Sequence, residues 1–305
     1  RRRIILVGDH RQLPHILEPD VERQLEHAVS ETTRDALKRS LFERLFNQLQ
    51  KREAQDRIKR TVTLDVQYRM HPELGEFVSR TFYEFHSASE KFRSGPGTEL
   101  LLHNLPEFTH AGVERVAAWK RIPLGDGAET GGRSKSRRAE ARWIAATVQR
   151  LTAARSDLSI GVISFYAAQI DVLHEEFERK GLCERDDDGR LRLRAEYREQ
   201  KDSRGERRDR LRVGTVDAFQ GKEFDVVFLS VTRANDYPTT DELALRRKYG
   251  HLMLENRLCV AMSRQQRLLV VVGDDAMLSP EAAQAAVRGL CAFRAMCEGN
   301  HGMVL

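Results

Sequence analysis

The sequence predicts an α/β fold: an open, mostly parallel sheet with helices on both faces. Two patterns predict it. Six short runs rich in Val, Ile and Leu lack strict alternation, as strands covered on both faces do: Ile4–Val7, Thr61–Leu64, Ile160–Ser164, Leu211–Val216, Val226–Val231 and Leu268–Val272. The segments between them carry apolar residues at helical spacing instead. With 305 residues, 40% of them hydrophobic, the chain is long enough for one or two cores of this kind.

In chain order, Arg1-Arg2-Arg3 feeds directly into the first run, so the chain is expected to begin inside a domain, with no room for a signal peptide. Pro72 suits the first position of a helix, with Leu74, Phe77, Val78 and Phe82 at i, i+3, i+4 and i+8. Trp143, Ile144, Thr147, Val148 and Leu151 trace a second helix, with Ser136 as a candidate N-cap. Ile170, Leu173 and Phe177 trace a third, with Glu175/Arg179 and Glu176/Lys180 as expected i,i+4 pairs and Gly181 as its stop. Residues 125–138 read as a basic surface loop. Residues 184–210, nearly all charged, read as an insertion forming an exposed hairpin or staying disordered. Ten Arg or Lys lie between Arg190 and Arg212, but five acidic residues between Glu196 and Asp209 dilute a nucleic-acid-binding reading.

Composition removes several classes. The hydrophobic fraction is too high for a disordered chain, and 20 Gly with 8 Pro are too few for a fibrous one. No apolar run approaches the roughly 18–20 residues a membrane helix requires. A net charge of +5 is weak support for a polyanionic partner, since an ordinary solvated surface has the same balance. Cys183, Cys259, Cys291 and Cys297 form no C-x-x-C, so no metal site and no disulfide framework is expected. They imply reduced thiols and a cytoplasmic location.

Polar clusters come directly after nearly every predicted strand: Gly8-Asp9-His10-Arg11-Gln12, Asp65-Val66-Gln67-Tyr68-Arg69, Tyr166-Ala167-Ala168-Gln169, Asp217-Ala218-Phe219-Gln220-Gly221, Thr232-Arg233 and Gly273-Asp274-Asp275. Ligands of open α/β sheets bind at the carboxyl ends of strands. These clusters therefore place a phosphate-rich ligand there.

Four blocks, in order, resemble motifs of superfamily-one helicases of the 5′-to-3′ branch that contains the nonsense-mediated-decay helicase and senataxin. Val7-Gly8-Asp9-His10-Arg11-Gln12-Leu13-Pro14 is similar to motif III, and Gln67-Tyr68-Arg69-Met70-His71-Pro72 to motif IV. Thr215-Val216-Asp217-Ala218-Phe219-Gln220-Gly221-Lys222-Glu223-Phe224-Asp225 is similar to motif V, and Asn256-Arg257-Leu258-Cys259-Val260-Ala261-Met262-Ser263-Arg264 to motif VI. A fifth stretch, Ile160–Gln169, resembles the family's I-G-V-I-T-P-Y-R-A-Q.

The resemblance implies a RecA-like P-loop NTPase fold and an ATP-dependent helicase or translocase. Phosphoryl transfer to water needs fixed cations around developing charge, and guanidinium groups fork onto phosphate oxygens. By resemblance, Arg264 is the arginine finger, Arg69 a second cation on the γ-phosphate, Gln12 its sensor, and Gln220 a further catalytic-site residue. Gly221 lets backbone approach a phosphate. Glu223 would accept from the ribose, Tyr68 would pack on the base, and Arg257 lies on the same nucleotide side. Ser164, Tyr166 and Thr215 are candidates for the backbone of single-stranded DNA or RNA. Departures are Pro14-His15 for two prolines, Phe165 and Ala167 for Pro and Arg, Cys259 for Asn, and Gln265 for Ala.

No G-x-x-x-x-G-K-[ST] occurs, and no Asp-Glu pair comes after a strand ahead of motif III. ATP and Mg²⁺ are implied, with the phosphate loop and the Mg²⁺ ligands expected in a missing N-terminal RecA-like half. Residues 1–58 are accordingly expected to be the tail of a first RecA-like domain, and 59–305 a second one. The competing expectation is a non-catalytic nucleic-acid-binding or scaffold module descended from a helicase.

Overall fold

The computed structural model describes residues 4–13, 40–95, 97–201 and 205–305. Two compact units divide the chain, Arg1–Asp65 and Val66–Leu305. Pro14 and His15 of the first motif and residues 202–204 of the charged insertion lie outside the described residues.

In the first unit, helix α1 spans Leu41–Asp56. Ser40 caps it, its hydroxyl accepting from the Glu43 amide at 3.0 Å, the S-x-x-E arrangement that satisfies an orphan donor of the first turn. Phe42 and Phe46 stack along one side of the helix, and His10 stacks on Phe46 at 5.1 Å. The two strands expected in this unit do not form. Ile4–Val7 and Thr61–Leu64 are irregular, and Ile4, Ile5, Val7, Val62 and Leu64 stand exposed. A strand requires a neighbouring ladder, and none pairs with either run among the described residues.

In the second unit, α2 runs from Pro72 to Val78 and widens into π-helical turns over Ser79–Glu84, which keep Phe82 buried beside Phe77. The sheet strands are β1 (Ala117–Arg121), β2 (Ile160–Ser164), β3 (Leu211–Thr215), β4 (Phe224–Ser230), β5 (Gln265–Gly273) and β6 (Gly302–Val304). Their order is β3-β2-β4-β5-β1-β6, and every neighbouring pair is parallel. Helices α3 (Arg138–Ala154) and α4 (Ala167–Arg179) cover one face, where Ile144, Val148, Leu173 and Phe177 pack on Val162, Phe228 and Val270. Alternate residues Val227, Leu229, Leu269 and Val271 point the other way and are equally buried, so both faces are covered. Helices α5 (Glu242–Tyr249) and α6 (Glu255–Ala261) lie between β4 and β5, and α7 (Arg288–Met296) between β5 and β6. This is the open α/β sheet of a RecA-like fold.

Several local expectations shift. Arg137, not Ser136, precedes α3 as its cap residue. On α4 the i,i+4 pairs give way to others: Arg138 of α3 binds both Glu175 and Glu176 across the helices, and Arg179 binds Glu176 at i,i+3 at 2.6 Å. Glu176 is almost fully buried and therefore gathers several cations, whereas an exposed pair one turn apart gains little. The charged insertion forms two hairpins, Cys183–Arg185 with Leu191–Leu193 and Glu199–Lys201 with Arg207–Asp209. Much of its charge is self-paired, as in Arg192–Asp186 and Arg212–Asp209. Strands β1 and β6 went unforeseen.

One connection positions the functional edge. From the end of β3, residues 216–223 must return the length of the sheet to start β4, passing over β2. So short a crossover lies directly on the sheet. Val216 and Phe219 are buried beneath it, and Gly161 of β2 makes room: a Cβ there would meet Phe219 and Phe224 at 2.9 Å. Gly161→Ala is expected to destabilise the fold by about 1–3 kcal/mol through overpacking against these two rings. A melting temperature equal to the parent's would refute this packing account.

Candidate nucleotide and nucleic-acid edges

The strands run one way, so the sheet has an amino edge and a carboxyl edge. The phosphate-binding candidates were placed at the carboxyl edge by sequence. The structure corrects this: Glu223 directly precedes β4, and Arg264 directly precedes β5, so both stand at the amino edge. Arg69 joins them, donating from Nε to Glu223 Oε2 at 2.9 Å and from Nη1 to the Ser263 carbonyl at 3.1 Å.

Gln67 shapes the loop that presents Arg69. Its side-chain oxygen accepts from the Arg69 and Met70 amides, and its nitrogen donates to the Met70 carbonyl and to Ser94. His71 then caps α2, its Nδ1 accepting from the Glu73 amide at 3.3 Å. That role requires the neutral ring. Burial supplies it by pulling the His71 pKa down to about 4. Tyr68 is 77% exposed, and its ring lies over Gly95, where a Cβ would come within 2.5 Å of it.

Gln220 and Gly221 form the corner of a tight turn. Gln220 has φ −58° and ψ 129°, Gly221 has φ +74°, and the Lys222 amide donates to the Phe219 carbonyl at 3.0 Å. This is type II geometry, whose third position favours glycine. No atom stands within 4 Å of where a Gly221 Cβ would be, so that side of the backbone is open. Arg257 reaches Asp217 at 3.2 Å and ties α6 to the same turn.

Arg264 is placed differently from the expected finger. It is 1% exposed and turned inward, donating to the Val260 carbonyl, the Ser263 hydroxyl and the Lys222 carbonyl. Arg69 is the guanidinium at the solvent edge. Gln266 was not foreseen; it donates to Glu223 Oε1 at 3.0 Å and fixes the carboxylate from the side opposite Arg69. Its signal was its place, two residues beyond Arg264 at the start of a strand. Gln12 lies in the first unit, where its amide donates to Asp9 Oδ2 at 2.8 Å while Asp9 also accepts from the Arg11 amide.

At the carboxyl edge, Ser164 is fully buried and shares a hydrogen bond with Thr232 at 3.0 Å. Tyr166 is 3% exposed, stacked flat on His251 at 4.9 Å, and its hydroxyl accepts from the His251 amide and from Arg233. Neither side chain faces solvent. Thr215 is half-buried at the end of β3. A buried network fixes this edge. Glu140 Oε2 accepts from the Ser230 hydroxyl and the Thr232 amide, and Oε1 accepts from Arg137. Thr232 sits at φ +68°, a strained backbone for a β-branched residue, held there by the Glu140 contact.

Among the described residues, no group of His, Cys, Asp and Glu is arranged to hold a metal, and no helix is long and apolar enough to cross a membrane. The family model for the AAA domain matches residues 37–276. The chain belongs to that family. It is 28% identical to a regulator of nonsense transcripts 1 homolog from Neurospora crassa over 91% of this chain and 21% of that protein. It is 29% identical to the DNA polymerase alpha-associated DNA helicase A of Saccharomyces cerevisiae, over 89% of this chain and 34% of that one. The ATP-dependent helicase NAM7 of the same yeast is 28% identical over 91% of this chain and 23% of its own length. The chain thus spans between about a fifth and a third of these relatives, and the superfamily-one resemblance read from its motifs stands.

Glu140 generates a pH dependence. Burial outweighs the Arg137 and hydrogen-bond contributions and pushes its carboxyl up to about 7, above the ordinary 4.5. The folded state then keeps a proton that the unfolded chain has lost. Stability from this group is full below about pH 4.5 and falls as pH rises toward 7. Glu140→Gln should flatten that decline in chemical denaturation between these pH values, while an unchanged slope would remove Glu140 as its source.

Proposed function

We propose that this chain supplies the second RecA-like half of an ATP-dependent translocase on single-stranded nucleic acid. One observation carries the reading: the open Gln220-Gly221 turn runs through Lys222 into Glu223, and so joins the Arg264 side chain to the Arg69–Glu223–Gln266 cluster at one edge. The residues fit a nucleotide. Arg69 offers a guanidinium to phosphate oxygens, Gly221 an unobstructed backbone, Glu223 a carboxylate for ribose hydroxyls, and Tyr68 an exposed ring for the base. Bound ATP supplies the phosphoryl group whose transfer to water drives movement. Glu223 is engaged by Arg69 and Gln266, so among the described residues this edge offers no carboxylate set for Mg²⁺.

In this reading Arg69 must exchange Glu223 for phosphate oxygens when nucleotide arrives, a swap between two anions that keeps the guanidinium paired. Arg264 acts as the finger by exchanging its local acceptors, Val260 carbonyl and Ser263 hydroxyl, for developing negative charge. Gln12, in the first unit, is assigned the γ-phosphate sensor's role on its motif alone. The relatives divide by name between transcripts and DNA, and this chain acts on single strands of either kind.

Two measurements test this. The 305-residue chain lacks a phosphate loop and is expected to show no nucleic-acid-stimulated ATP hydrolysis above background; clear stimulation would overturn the half-site reading. In a protein that joins this chain to a phosphate-loop domain, Arg69→Ala and Arg264→Ala should each lower kcat by about 10³-fold or more with ATP affinity changed far less. Turnover within threefold of the parent for either variant would remove that arginine from the mechanism and favour a non-catalytic binding module.

A further inference from the structure

The carboxyl edge poses a problem for a nucleic-acid contact, because Ser164 and Tyr166 are covered. Ser164 is covered by its own neighbours, Thr232 among them, and Tyr166 by the segment from Asn235 to His251. Gly250 passes so close that a Cβ would lie 2.6 Å from the Tyr166 hydroxyl and 2.4 Å from Arg233, so only glycine lets the chain cross there. Phosphate could reach the Tyr166 hydroxyl only by displacing this segment.

The segment is firmly built. Asp241 caps α5, accepting from the Ala244 amide at 2.9 Å. Lys248 is buried and donates to the Tyr237 carbonyl at 2.9 Å, Asn235 donates back to the Lys248 carbonyl at 3.0 Å, and the Tyr249 hydroxyl donates to the Met277 carbonyl. Arg233 is locked beneath by Glu129 and by the Arg247 carbonyl. These ties leave the outer side of the segment as a defined surface.

That outer side is concave and carries four cations, of which Arg246 pairs with the exposed Glu242 at 2.7 Å and Lys135 and Arg233 with Glu129. A cavity of about 580 Å³ is lined by Lys135, Arg233, Arg246 and Arg247, with Asp241 as its lining carboxylate and with Tyr237 and Leu243 beside them. Tyr237 is 44% exposed. The Arg247 guanidinium is exposed and makes no hydrogen bond or ion pair with any described residue. An exposed aromatic ring beside exposed guanidinium groups on a rigid concave surface matches a single strand, which presents a base with a π-face next to a phosphodiester. An acidic peptide would use the cations but not the ring.

We propose that Tyr237, Arg246 and Arg247 form a docking site for single-stranded nucleic acid on the outside of the Asn235–His251 segment, Tyr237 stacking on a base and the two arginines holding adjacent phosphates. The inference rests on the translocase reading and moves its carboxyl-edge contact from Ser164 and Tyr166 to this outer layer.

Fluorescence anisotropy of the 305-residue chain with labelled dT and rU 15-mers across a salt series tests it. Tyr237→Ala should weaken binding about tenfold while Tyr237→Phe does not. Arg246→Ala with Arg247→Ala should weaken it and reduce the magnitude of the log–log salt slope by about 1.4, the loss expected for two phosphate contacts on a single strand. All three positions are exposed, and an unchanged melting temperature confirms folding. A parent chain that binds both oligonucleotides, with variants that bind equally well, overturns this site and leaves the translocase reading standing. A parent chain that binds neither overturns both. Displacement of the oligonucleotide by poly-glutamate at matched charge, or by millimolar inorganic phosphate, would show a general anion pocket and overturn the assignment to nucleic acid.

Discussion

Everything functional in this chain depends on one constraint, that all six strands of its central sheet run in the same direction. A parallel sheet cannot turn back in two residues, so each connection must return to the edge from which the last strand began. The chain therefore has two chemically separate edges. The amino edge collects the residues that start strands or precede them, Glu223, Arg264 and Gln266, and Arg69 is fastened to them. The carboxyl edge collects the residues that end strands or lie just beyond them, Ser164, Thr215, Thr232 and Arg233. The short crossover of residues 216–223 is where the two edges come closest in sequence. It carries the Gln220-Gly221 turn, and Gly161 and Gly214 give it its place on the sheet.

Each edge is held by a buried ionisable group bonded to backbone and to neighbouring side chains. At the amino edge Arg264 lies inside the turn at the end of α6, bonded to backbone and to Ser263. At the carboxyl edge Glu140 connects α3 to the strand ends and fixes the strained Thr232. Such networks cost desolvation energy, and they restrict the site to one arrangement when every member is satisfied. The exchange of partners proposed for Arg69 and Arg264 draws on this design, because the acceptors they leave lie in turns and at strand starts, outside the ladder of the sheet.

The parts legible in the sequence are those fixed by local chemistry. The strands β2, β3, β4 and β5 were plain because continuous Val, Ile and Leu are needed where helices cover both faces. The motifs were plain because their residue types carry their function. The expectations that failed depended on partners distant in the chain. Ile4–Val7 has the composition of a buried strand and no ladder to join. β1 escaped because Ala117 and Ala118 dilute its apolar signal, and β6 because it has only three residues at the sheet's margin. The sheet edge on which Glu223 and Arg264 sit could not be read from spacing, since it depends on where the crossover lands. Ser164 and Tyr166 keep the motif's positions in sequence but are buried, Tyr166 under Gly250 and His251, some 85 residues further along, which its own neighbourhood gives no reason to expect.

The central claim is the separation of nucleotide and strand onto opposite edges of one sheet. Hydrogen–deuterium exchange on a protein joining this chain to a phosphate-loop domain tests it most directly. A non-hydrolysable ATP analogue should protect amides of 67–70 and 220–223, and a single-stranded oligonucleotide added alone should protect 236–249. Protection of 236–249 by the nucleotide, or of 67–70 and 220–223 by the oligonucleotide alone, would contradict the assignment of the two edges.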